Sequence, residues 1–181
     1  MLSTPKVKRN LYHTRKITCQ GYKREDGLFD IEGHLLDSKT FDIDNRDRGG
    51  VIATGDAIHE MQLRITLDLT FNIKDAEAHI IWSPFHICKE GSFNFKDIIG
   101  LTIQSGWRSQ VNRCIGNTAG CTHITELLGA VATTAFQTMV QDLKIFDEDS
   151  QDDKPPILLN SCHAFSETSA VVLRQWPKWH K

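Results

Sequence analysis

The sequence predicts an α+β fold: a four-stranded antiparallel meander packed against one long C-terminal helix, with a short tail returning to the body. Three observations predict it. Two stretches, 12–37 and 59–82, carry strand patterning and are joined internally by turns too short for parallel crossovers. Residues 122–146 place apolar side chains at helical spacing. The 181 residues, with 40% hydrophobic and 24% charged, suit a single globular domain over 1–181 that can bury a core without staples.

The N-terminal arm, 1–11, is polar and basic. Residues 12–23 are β-compatible with an irregular alternation, and Asp26-Gly27 predicts a hairpin turn because that pair tolerates left-handed backbone. Residues 28–37 resume, with Phe29, Ile31, Gly33 and Leu35 on one face and Leu28, Asp30, Glu32 and His34 on the other. Residues 42–57 are polar and Gly-rich and read as a long loop. The clearest strand is 59–73, where Met61, Leu63, Ile65, Leu67, Leu69 and Phe71 share a face; Lys74-Asp75 then turns into a fourth strand, 76–82. Phe93, Phe95, Ile98, Ile99 and Leu101 suggest a buried connector, and Trp107–Ile115 a short helix. In the long helix, Ile124, Leu127, Leu128, Val131, Ala135, Met139 and Leu143 form the face that would cover the sheet. DEDSQDDKPP, 147–156, reads as an acidic linker to the C-terminal tail.

A net charge of −2 offers no basic face of the kind nucleic acid or an anionic membrane needs, so neither is expected as a partner. A small-molecule ligand is, and self-association stays open. Lys6, Lys8, Arg9, Arg15 and Lys16 crowd the N-terminus as a solvated basic segment. No apolar run reaches transmembrane length, and MLSTPKVKRN lacks the apolar region of a secretory signal. Five cysteines, an odd number in a chain this long, point to reduced thiols in a cytoplasm.

The segment GCTHITELL concentrates the chemistry. Gly120 frees the backbone ahead of the helix, Thr122 is a candidate N-cap, and Cys121 then lies where the helix dipole favours a thiolate. His123 and Glu126, three apart, share the first helical turn. The set could serve as a nucleophile and base or as metal ligands; it could equally be a buried thiol and a helix-end histidine. His59, at the mouth of the clearest strand, is a candidate general base. Cys88, Cys162 and His163 could join Cys121 and His123 around zinc or iron, with Glu126 supporting a ligand or shuttling a proton. Asp26, Asp30, Glu32 and Asp37 read as an acidic face of the first hairpin, open to a hard cation or to neutralisation by Arg24 or Lys39. Phosphate-loop, dinucleotide, nucleophile-elbow and H-E-x-x-H signatures are absent, which disfavours nucleotide-driven chemistry and the common hydrolase designs.

REDGLFDIEGHLLDSK (24–39), IHEMQLRITLD (58–68), GCTHITELLGAVATTAFQTM (120–139) and SCHAF (161–165) together resemble an uncharacterised bacterial family, domain of unknown function family 2889, over roughly Arg15 to Trp179. That resemblance implies a small cytoplasmic bacterial protein and supplies no activity. At fold level the order of strands, Cys88 and a helix-start Cys121 is also similar to iron–sulfur scaffold proteins of the sulfur-mobilising superfamily. On that likeness Cys88 and Cys121 would match two cluster cysteines, with His59 or Glu60 near the first. The chain departs from it in lacking the C-G-D turn and the Gly before Cys88, and in adding a tail with Cys162. The expectation that results is a lyase- or hydrolase-type enzyme doing acid–base or metal-assisted work on a small organic metabolite; the alternative is a metal or iron–sulfur carrier without turnover.

Overall fold

A computed structural model of the chain describes residues 1–143 and 154–181. It divides into two compact units, Met1–Thr138 and Met139–Lys181.

The first unit is an α+β layer. Its sheet has the order β1 (His13–Lys23), β2 (Phe29–Lys39), β5 (Ala57–Leu67), β6 (Ile73–Trp82), every neighbouring pair antiparallel. The β1–β2 turn closes where the sequence places it: Arg24 N–H donates to Leu28 O at 2.8 Å, and Gly27 takes φ 83°, which its missing Cβ permits. The turn is centred on Asp26, and that fixes the register, pairing Cys19 with Gly33 and Arg15 with Asp37. Odd-numbered β2 residues from Phe29 to Asp37 are buried and the even ones are half-exposed.

Helix α2 (Thr122–Met139) covers the odd face. A Cβ on Gly33 would stand 2.7 Å from Val131 Cγ2 and 3.1 Å from Leu127 Cγ, so the absent side chain lets the helix lie close to β2. Gly21, one strand over, gives Thr138 the same room. Ile124, Leu127, Leu128, Val131 and Ala135 are buried at the expected spacing, and Phe136 stacks on Phe71 at 5.7 Å. The apolar face contributes about 25 cal/mol per Å² removed from water. Helix α1 (Trp107–Ile115) buries Trp107, Val111 and Ile115 along one stripe. The opposite sheet face is polar and cross-paired, as in Arg64–Glu77 at 2.8 Å and His34–Glu60 at 3.0 Å, around a shallow recess of about 380 Å³.

Four expectations need correction. The strand expected over 59–73 stops at Leu67, and Leu69 is exposed. Asp68 Oδ1 accepts from Thr70 N–H, Thr70 Oγ1 and Asn72 N–H at 2.6–3.1 Å, folding 68–72 into the turn that Lys74-Asp75 was expected to make. The 42–57 loop contains a small hairpin, β3 (Ile43–Asn45) with β4 (Gly50–Ile52); three-residue strands are too short to show periodicity. In the connector Phe95 and Ile98 are buried, whereas Phe93 and Ile99 are exposed. The expected helix end at 144–146 and residues 147–153 of the acidic segment lie outside the described residues.

The second unit holds the turns His163–Phe165 and Pro177–Trp179 and a short helix, α3 (Ala170–Gln175). Ser169 caps α3 by accepting from Val172 N–H at 3.1 Å, and Phe165 packs on Trp176 at 5.5 Å. No helix among the described residues is long and apolar enough to cross a membrane.

Candidate active site

The sheet register sets three side chains in a row. Arg15 faces Asp37 across β1–β2, and Asp37 faces His59 across β2–β5, all on the helix-covered face at one end of the sheet. Asp37 is 1% exposed. Arg15 holds it with a two-pronged bond, Nε to Oδ1 at 2.8 Å and Nη2 to Oδ2 at 2.7 Å. His59 Nδ1 lies 3.2 Å from Oδ2 and His13 Nε2 3.4 Å from Oδ1. Burial opposes ionisation of Asp37, but the Arg15 hydrogen bonds and charge outweigh it and hold its pKa below the ordinary 3.8.

Helix α2 supplies the lid of this row from its first turn. Thr125 N–H donates to Cys121 O at 3.1 Å, so Cys121, and not the expected Thr122, is the residue that caps the helix. His123 then stacks on His59 with ring centroids 3.9 Å apart and an angle of 29°. Its Nε2 is 3.8 Å from Asp37 Oδ2, and its Nδ1 is 3.9 Å from Cys121 Sγ. Glu126, one turn on, accepts from Arg15 Nη1 at 2.7 Å. Burial lowers the pKa of both imidazoles from the usual 6.5. His123 adds to that for His59 and the Arg15 charge for His123, and together these outweigh the opposing pull of the Asp37 carboxylate on both rings and of Glu126 on His123. Both are therefore neutral at neutral pH.

A carboxylate can only accept, so His59 Nδ1 carries the proton it donates to Asp37. The neutral ring then has its lone pair on Nε2, which has no protein partner among the described residues. His59 and His123 form part of the wall of a cavity of about 590 Å³, with Cys121 and Met61 beside them. Cys88 lines the same cavity on the segment after β6, and Phe85, Ile87 and Phe93, all more than half exposed, form an apolar rim. The arrangement can take a proton from a ligand held in that space.

Of the residues singled out in the sequence, His59, Cys121, His123 and Cys88 share this cavity. Glu126 is outside it and acts on Arg15. Cys162 and His163 lie in the second unit, where Cys162 precedes the His163–Phe165 turn. Among the described residues, the one group of three that could hold a metal ion is Asp37, His59 and His123, with atoms within 4.8 Å of one another.

Asp37 is the residue the sequence misplaced. It does not join an acidic face with Asp30 and Glu32, because its odd position in β2 turns it to the buried side; Asp26 and Asp30 pair with Arg24. The parity it shares with Phe29, Ile31, Gly33 and Leu35 was the available signal. Arg15, read as part of a solvated basic arm, was legible only through the hairpin register.

Compared with curated proteins and with solved structures, the chain matches none, and the likeness to iron–sulfur scaffolds finds no support there. A family model described as a protein of unknown function matches residues 13–137, a span that contains the whole Arg15–Asp37–His59–His123 cluster, and the chain belongs to that family, DUF2889.

Proposed function

We propose that the protein is a small cytoplasmic enzyme that carries out acid–base chemistry, of the lyase or hydrolase type, on a small organic metabolite, with His59 as general base. The observation that carries this is the Arg15–Asp37–His59 row ending at a cavity wall. Arg15 fixes Asp37, Asp37 fixes the His59 tautomer, and the free Nε2 lone pair belongs to a ring kept neutral near pH 7. His123 stacks on one face of the His59 ring. Cys121, next to His123, is the residue available for covalent assistance. Five free thiols support a reducing compartment.

Metabolite profiling tests this directly. Purified protein incubated with a bacterial small-molecule extract should deplete at least one species and produce another, and His59→Gln should leave both unchanged. An extract that stays the same with the wild-type protein, or changes equally with His59→Gln, refutes the assignment.

A zinc or iron centre at Asp37, His59 and His123 is the second reading, favoured by the closeness of their ligand atoms. Two features weigh against it. Arg15 already takes both Asp37 oxygens, and a guanidinium beside the carboxylate repels a cation. Nearly parallel stacked rings also aim their in-plane lone pairs alongside one another instead of at one point. Protein purified without chelator should carry less than about a tenth of an equivalent of any transition metal; a full equivalent, lost in His123→Gln, would establish the metal reading.

A further inference from the structure

A second recess, of about 310 Å³, adjoins the cavity, and Ser83 and Phe85 line both. The two compartments differ in charge. No lysine or arginine lines the cavity, whose one charged side chain is Glu90. The recess carries Arg48 and Lys89 against a single carboxylate, Asp47. That carboxylate accepts from His86 N–H at 2.8 Å. Arg48 is fixed in place: its guanidinium lies over the Trp82 ring at 4.3 Å and donates to Ala57 O at 3.1 Å through Nη1. Its other N–H groups are left for a ligand, and Lys89 has no ion-pair partner among the described residues. A guanidinium held in this way offers a planar fork to an oxyanion at small entropic cost.

We infer that the ligand is an organic acid whose anionic group, carboxylate or phosphate, sits with Arg48 and Lys89 while its apolar part enters the cavity beside His59. Ser83 and Phe85, common to both linings, set the two compartments side by side, as a ligand reaching from one to the other requires. The apolar rim of Phe85, Ile87 and Phe93 suits the carbon skeleton, and the recess supplies the positive charge that the cavity lacks. The inference names a substrate class for the proposed acid–base site and rests on that reading, yet its test reads binding alone.

The test is calorimetric titration of the full chain with three probes of one skeleton: 4-phenylbutyrate, 4-phenylbutyl phosphate and the uncharged 4-phenylbutyramide. One or both anions should bind about tenfold more tightly than the amide, as a charge-assisted pair implies. The tighter anion identifies the headgroup. Lys89→Ala and Arg48→Gln should each reduce that preference, and His59→Gln should preserve it. Because Arg48 also supports Ala57, Lys89→Ala, at an exposed position, keeps the test independent of folding. An amide that binds as tightly as both anions, or a preference unmoved by Lys89→Ala, overturns the inference. If the preference stands while His59→Gln leaves metabolite conversion unchanged, the anion recess survives and the catalytic reading fails.

Discussion

Acidification should destabilise the first unit through the stacked histidines, and the size of the effect follows from the site. His59 and His123 both have folded-state pKa values below 6.5, chiefly through burial. A group depressed in this way binds its proton more readily in the unfolded chain. Its stabilising contribution is therefore present above about pH 6.5 and is lost as pH falls through the folded value. Each histidine can contribute at most about 1 kcal/mol over pH 6.5 to 5.5, where the unfolded imidazole is itself taking up its proton, so the pair reaches at most about 2 kcal/mol there. For a unit spanning Met1–Thr138, that ceiling corresponds to roughly 7 °C in melting temperature. The carboxylates with lowered pKa lose their contributions only below their ordinary values of 3.8–4.5, outside this window. The assay is thermal unfolding followed by far-ultraviolet circular dichroism from pH 5 to 8. Wild type should show a falling melting temperature below pH 6.5, and His59→Gln/His123→Gln should flatten it. Because two rings 3.9 Å apart cannot both ionise freely, either single substitution should remove more than half of the slope. A flat wild-type profile over this range, or a double variant with the wild-type slope, would refute the reasoning.

Three further outcomes are expected. Asp37→Ala leaves Arg15 without its buried partner and should cost about 3 kcal/mol in urea unfolding, whereas replacing Asp37 and Arg15 together with Leu and Met should recover most of that loss. Gly33→Ala pushes a methyl to 2.7 Å from Val131 Cγ2 and should cost about 1–3 kcal/mol, with Val131→Ala in the same chain restoring part of it. Asp68→Ala removes three hydrogen bonds from the β5–β6 turn and should cost about 1–2 kcal/mol, measured by urea unfolding with the His59 and His123 ring resonances unmoved.

The sheet and the long helix were legible because each repeats a signal over many residues. Alternation in β2 and β5 and the stripe from Ile124 to Ala135 each sum a dozen local preferences. What escaped was set by single interactions. The end of β5 depends on one carboxylate, Asp68, whose neighbours continue an apolar alternation that the chain does not use. The site was half legible for the same reason. His59, Cys121 and His123 announce themselves by residue type, but Arg15 and Asp37 acquire their meaning from strand pairing, 22 residues apart in sequence. The Asp26-centred turn contained that pairing: residues equidistant from Asp26 face one another, and Arg15 and Asp37 both lie 11 positions from it. Parity and hairpin register, applied together, would have placed both on the helix-covered face.

Energetics separate a stabilising role for this cluster from a functional one. Removing a charge such as Asp37 from water costs several kcal/mol, and a paired guanidinium repays that imperfectly; apolar residues of similar volume usually do as well or better. The sheet face around Asp37 is otherwise built of Phe29, Ile31, Leu35 and Met61, so an apolar residue there would simply extend the core. The chain instead places a carboxylate at that position and brings Arg15, His13, His59 and His123 to it from β1, β5 and α2. Two of those groups are imidazoles lowered in pKa and set at a cavity wall. Perturbed titratable groups beside a concave, apolar-rimmed space are what proton transfer requires and what packing alone does not. The Asp37/Arg15 double replacement puts that argument at risk: a variant that regains most of the wild-type stability but lacks the conversion proposed for the site would assign the cluster to chemistry, and one that unfolds would assign it to the fold.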